Sequence, residues 1–74
     1  MAREYLIEND DGSYTINFGN FQDEDLLDAV RGDYNSPPSG EFHYFAWMTG
    51  PKAKFPEEVV EIVLEAMETI ELGG

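Results

Sequence analysis

Glu41-Phe42-His43-Tyr44-Phe45-Ala46-Trp47-Met48 is the stretch on which the fold turns. It is a continuous aromatic run of strand length, and a segment apolar on both faces is expected in the middle of a sheet, where each face meets apolar material. Phe42, Tyr44, Phe45 and Trp47 are therefore expected in the core. Ahead of the run, Gly32 to Gly40 contains Asn35, Ser36, Pro37, Pro38 and Ser39, a composition that ends a helix and cannot join a central strand, so it predicts an exposed loop. Tyr34, beside that loop, is a candidate for a surface contact. After the run, Thr49-Gly50-Pro51-Lys52-Ala53-Lys54 reads as a turn. Phe55-Pro56-Glu57-Glu58 then opens a long helix that runs to about Leu72 and ends at Gly73 and Gly74.

The N-terminal half supplies the remaining elements. Arg3 to Asn9 and Ser13 to Phe18 are two short runs of Tyr, Ile, Leu and Thr on either side of Asp10-Asp11-Gly12, whose Asp-Gly step favours a tight hairpin turn. In the second run Tyr14, Ile16 and Phe18 alternate with Thr15 and Asn17, the period of a strand with one buried face. From Asn20 to Gly32 the pattern is a short helix, with Asn20 as its cap, acids in its first turn, Leu26, Leu27 and Val30 as its apolar side, and Gly32 as its stop. The resulting order is ββαβα: a single acidic α+β domain over residues 1–74, with a small three-stranded, mainly antiparallel sheet and two helices over one face.

Composition bounds the function. Seventy-four residues build one modest core, and ten aromatics are enough to fold it, whereas disordered acidic chains have few. Without cysteine there is no disulfide framework, thiolate metal site or thiol redox chemistry. No signal-like or membrane-spanning apolar run is present, so a cytoplasmic location is expected. Sixteen Asp and Glu against four Lys and Arg give a net charge of −12, beyond the magnitude of about 2–8 that keeps a small domain soluble. Such a surface repels nucleic acid and anionic membranes and attracts basic surfaces over about a Debye length. The expected partner is a basic protein.

The acid is placed unevenly. Nine acidic residues lie in the first 33 positions and six follow Lys54, whereas Tyr34 to Lys54 holds only Glu41. At about 100° per residue, Glu57, Glu58, Glu61, Glu65, Glu68 and Glu71 fall within an arc of roughly 140°, with Val59, Val60, Ile62, Val63, Ala66, Met67 and Ile70 on the remainder. Like charges at i,i+3 and i,i+4 destabilise a helix by about 0.2–0.5 kcal/mol each, and no Lys or Arg follows Lys54 to relieve them. The six carboxylates span about 21 Å, one per ~3.5 Å, close to the ~3.4 Å charge spacing of a DNA strand. Asp23, Glu24, Asp25 and Asp28 form a second cluster; first-turn acids are also accounted for by the helix dipole, Asp28 less easily.

Catalytic and metal-binding patterns are missing. His43 is the only histidine, and no motif joins it to Ser13, Ser36 or Ser39. Paired carboxylates abound, but a chain this short rarely builds the cleft that a glycosidase needs. Placing Gly12 as the glycine of a calcium loop puts Ile7 at the first ligand position, and no phosphate-cradling glycine loop occurs. Direct contact with nucleic acid is not expected with four cations. No enzyme and no cofactor are expected.

In size, charge and the Glu57 to Glu71 stripe, the chain resembles the small acidic proteins by which bacteriophages block host defence, the DNA-mimic anti-restriction proteins and anti-CRISPR inhibitors. The resemblance implies a non-catalytic inhibitor in the host cytoplasm. Its carboxylates would stand in for phosphates on a basic nucleic-acid-binding protein, such as a CRISPR effector or restriction enzyme. Glu57, Glu58, Glu61, Glu65, Glu68, Glu71, Asp23, Glu24, Asp25, Asp28 and Tyr34 are the candidate partner-binding residues. The alternative is an acidic structural or regulatory adaptor that docks through the aromatic strand edge or Tyr34. General salt adaptation of the surface and a metal-dependent enzyme are the remaining readings.

Overall fold

The computed structural model describes residues 5–73 and, within them, every side chain except that of Asn20. Two short strands, β1 (Leu6–Glu8) and β2 (Tyr14–Ile16), are followed by three helices, α1 (Leu26–Asn35), α2 (Tyr44–Met48) and α3 (Glu57–Glu71). The class is α+β. The expected three-stranded sheet with two helices is corrected to a two-stranded antiparallel hairpin with three helices, in the order ββααα.

The aromatic run makes the difference, because it folds as α2. Phe45 and Met48, three residues apart, are both fully buried, while Ala46 and Trp47 between them are exposed. That is one face of a helix and not the alternation of a strand. Asp33, near the end of α1, sets its start: one carboxylate oxygen accepts the backbone N–H groups of His43 (2.8 Å) and Phe45 (3.2 Å), and the other accepts that of Tyr44 (3.0 Å). The first turn of a helix leaves these donors without intrahelical partners, and a carboxylate there also suits the helix dipole. His43 provides no side-chain cap of its own. At the other end Thr49 closes the helix, its Oγ and N–H donating to the Phe45 carbonyl at 2.8 and 3.1 Å.

Helix α1 is displaced relative to the sequence pattern. Its cap is Asp25, whose carboxylate accepts the Asp28 N–H at 3.3 Å, while Asn20, the expected cap, lies in a separate 3-10 turn at Gly19–Phe21. The helix passes through Gly32, the expected stop, and ends at Asn35 before Pro37. Tyr34 is consequently in the last helical turn and not in a loop, half-buried with its ring 4.7 Å from that of Phe42. The loop that follows is tied back by His43, whose Nε2 lies 3.2 Å from the carbonyl oxygens of both Ser36 and Pro38. Two acceptors facing one ring nitrogen require the proton to sit there.

The hairpin pairs Leu6 with Ile16, Ile7 with Thr15 and Glu8 with Tyr14. It is shorter than the two runs, and Arg3 of the first lies outside the described residues. Its loop spans three residues: Gly12 N–H donates to the Asn9 carbonyl at 3.0 Å, Gly12 takes φ 87°, and Asn9 N–H donates to the Ser13 carbonyl at 2.8 Å. The left-handed angle explains the glycine. Asp11 accepts the hydroxyl (2.6 Å) and the N–H (3.0 Å) of Ser13, which hold its carboxyl below the ordinary aspartate value of 3.8. After β2 the chain doubles back: Asp23, at φ 71°, donates its N–H to the Ile16 carbonyl (2.7 Å), and Ile16 N–H donates to the Glu24 carbonyl (2.8 Å). With these bonds goes one isolated antiparallel bridge, Thr15 to Asp25, and among the described residues no third strand forms on this side of β2.

One core joins these elements. Leu6 and Ile16 from the hairpin, Leu26, Ala29 and Val30 from α1, Phe45 and Met48 from α2, and Val59, Val63, Ala66 and Ile70 from α3 are all buried. Each large side chain among them contributes about 1.5–3 kcal/mol by leaving water. Of the aromatics expected in the core, Phe45 is there, Phe42 and Tyr44 are half-buried against it, and Trp47 is 51% exposed.

Replacing Asp33 with Ala should lower stability by about 3 kcal/mol, because donors at a partly buried helix start lose their acceptor, and should depress Tm by more than about 10 °C. Asp33→Asn, which keeps one acceptor oxygen, should fall between; circular-dichroism melts measure both. The ionised Asp11 carboxylate makes the turn's hydrogen bonds, so its contribution is complete above the ordinary carboxylate range and fades as pH falls through its lowered folded value. A carboxyl NMR titration should give a midpoint below 3.8, tracked by the Ser13 amide and absent in Asp11→Asn.

Candidate functional site

Helix α3 owes its position to its own periodicity. Pro56 precedes the first turn, its carbonyl accepting the N–H groups of Val59 and Val60 at 3.0 Å. Val59, Val63, Ala66 and Ile70, spaced four, three and four apart, face the core, with Val59 and Val63 fully buried. This fixes the direction of everything else on the helix. Glu57, Glu58, Glu61, Glu65, Glu68 and Glu71 are all exposed, and their arc is centred almost opposite the buried one. The row runs for about 21 Å along a molecule whose longest extent is 32 Å.

No cation within the described residues neutralises this row. The ion pair there is Arg31 with Asp28, at 3.3 Å on exposed α1, and Lys52 and Lys54 lie in the turn before α3. An exposed pair of that kind contributes about 0–1 kcal/mol. The glutamates are thus left to repel one another and to attract positive charge from outside.

The second acidic cluster is divided by the fold. Asp25 is half-buried as the cap of α1, Asp28 faces Arg31, and Asp23 and Glu24 have exposed side chains while their backbones pair with β2. Part of this acid serves local structure, but its placement still matters. Leu26 and Leu27, which directly follow Asp25, border the same cleft as Glu65, so the start of α1 lies beside the middle of α3. Tyr34, at the far end of α1, does not border that cleft.

The exposed large apolar side chains include Leu64 and Trp47, the latter expected in the core. Leu64 is 47% exposed and falls within the glutamate arc, a position that helical spacing alone reveals once every residue is placed on the wheel. Trp47 is held by the rings of Tyr44 at 5.7 Å and Phe55 at 6.1 Å, and only the change from strand to helix exposes it. The aromatic strand edge on which an adaptor would dock does not exist, because that segment is helical.

His43 is engaged with backbone carbonyls, Ser13 with Asp11, and the Ser36 hydroxyl with the Gly32 carbonyl, so these residues form no nucleophile and base pair. Among the described residues no group of three or more His, Asp or Glu could hold a metal ion, and no helix is long and apolar enough to cross a membrane. Compared with protein-family models, curated proteins and solved structures, the chain matches none.

The like-charge pairs Glu57/Glu61, Glu58/Glu61, Glu61/Glu65, Glu65/Glu68 and Glu68/Glu71 all involve one of three central residues. Replacing Glu61, Glu65 and Glu68 together with Gln should therefore raise stability by about 1–2 kcal/mol at low salt, a gain that shrinks as salt screens the charges. Urea unfolding of the two proteins at low and high salt measures it.

Proposed function

We propose that this protein is a non-catalytic inhibitor that occupies the basic nucleic-acid-binding surface of a host defence protein, of the anti-CRISPR or anti-restriction type. The observation that carries the reading is the row of six exposed glutamates on α3, unpaired by any cation among the described residues and spaced close to the phosphates of a nucleic-acid strand. A solvated helix gains stability from alternating Glu and Lys; this helix forgoes it. Across a Lys- and Arg-lined channel the same carboxylates would be met one by one, and the bound domain would exclude DNA or RNA by bulk and by charge.

The test is capture of bacterial lysate proteins on the immobilised domain, washed at graded salt and competed with duplex DNA. A nucleic-acid-handling protein should be retained at low salt, released steeply as salt rises and displaced by DNA. The Glu61, Glu65 and Glu68 to Gln variant, although more stable, should fail to retain it, whereas Trp47→Ala should retain it. Retention that ignores salt and survives the triple substitution would favour the adaptor.

A further inference from the structure

Between the hairpin turn, the start of α1 and the middle of α3 lies an open cleft of about 330 Å³, at the small end of ligand-sized clefts, which run roughly 300–1,000 Å³. Ala66 belongs to its floor, Tyr14, Leu27 and Ile62 to its apolar walls, and Glu65 and Thr69 to its rim on α3. Leu27 is 36% exposed and Tyr14 and Ile62 are half-buried, so the cleft leaves apolar surface in contact with water. The carboxylate among its lining residues is Glu65, and further acids lie close to the lining in sequence. Glu65 belongs both to the rim and to the glutamate row, Glu58 lies one turn before Ile62 on the same side of α3, Asp25 directly precedes α1, and Asp11 directly precedes the turn residues that line the cleft.

An apolar depression that shares Glu65 with a row of exposed carboxylates selects its occupant by charge. A phosphate-bearing or acidic ligand is repelled from the rim, whereas an apolar side chain flanked by Lys or Arg satisfies rim and floor together. We propose that this cleft anchors one apolar side chain carried on a basic polypeptide segment of the partner. The inference rests on the acidic-interface reading above and adds to it a pocket that makes contact with a protein, a feature that charge mimicry alone does not require. The glutamate row sets salt-dependent attraction, and the cleft sets register through Glu65, the residue that the two share.

The test uses the whole domain, isotope-labelled, and two synthetic peptides that differ only in carrying a phenylalanine or an alanine in the middle of a short run of arginines. The phenylalanine peptide should bind about tenfold more tightly, as expected for burying one ring, and should shift the Leu27 and Ile62 methyl signals by its ring current. Thr69→Trp, which fills the cleft from an exposed rim position, should abolish that advantage and leave the alanine peptide's affinity unchanged. Leu27→Ser, which removes a wall, should reduce the advantage as well. Replacing Glu61 and Glu68 with Gln should weaken both peptides alike. Equal affinity of the two peptides, or an advantage that survives both cleft variants, would overturn the anchoring pocket while leaving the glutamate row as the binding surface. Failure of both peptides to bind at low salt would overturn the pocket and the acidic-interface reading together.

Discussion

A single inward-turned carboxylate organises the second half of the chain. Asp33 accepts three successive N–H groups from residues 43 to 45, joining the end of α1 to the start of α2 across a loop that contains Pro37, Pro38 and Gly40. A buried charge without a cation is costly unless backbone dipoles surround it, and here they do. The geometry this imposes carries Phe45 and Met48 into the core, where they meet Val59 and Val63 of α3, and so fixes the floor on which the acidic helix rests. Without that constraint α2, at five residues, is too short to persist as a helix in water.

Helix α3 shows how fold and surface are separated. Its buried side is made of small and β-branched residues that pack closely, and its outer side is almost entirely glutamate, with Leu64 set among them. The outer side opposes folding slightly, because its charges repel, while the buried side favours folding by several kcal/mol of transferred apolar surface. The balance allows an electrostatic pattern that helix stability alone would not select.

The sequence made some of this legible and hid the rest for identifiable reasons. The direction of the glutamate row was readable because a helix of fifteen residues has a strong period and a proline at its start. The hairpin was readable from Asp10-Asp11-Gly12. The aromatic run was misread because its decisive interaction comes from Asp33, ten or more residues away, and a cap supplied across a loop leaves no local pattern. The boundaries of α1 were misread because Asp25 and Asn20 are both good caps, and the choice between them is made by backbone pairing of residues 23 and 24 with Ile16. Trp47 was expected in the core and is exposed, and the cleft beside Glu65 was not foreseen, because both depend on where helices form and meet, which composition does not encode.

The opposition of faces on α3 bears on how such a surface can change over time. Residues that hold the domain together and residues that would meet a partner alternate along one helix yet never share a side, so substitutions on the outer row leave the core contacts untouched. A helix built this way can exchange one exposed side chain at a time while the domain remains folded at every step. Only Glu65, at the edge of the cleft, belongs to two surfaces at once, and there such freedom narrows.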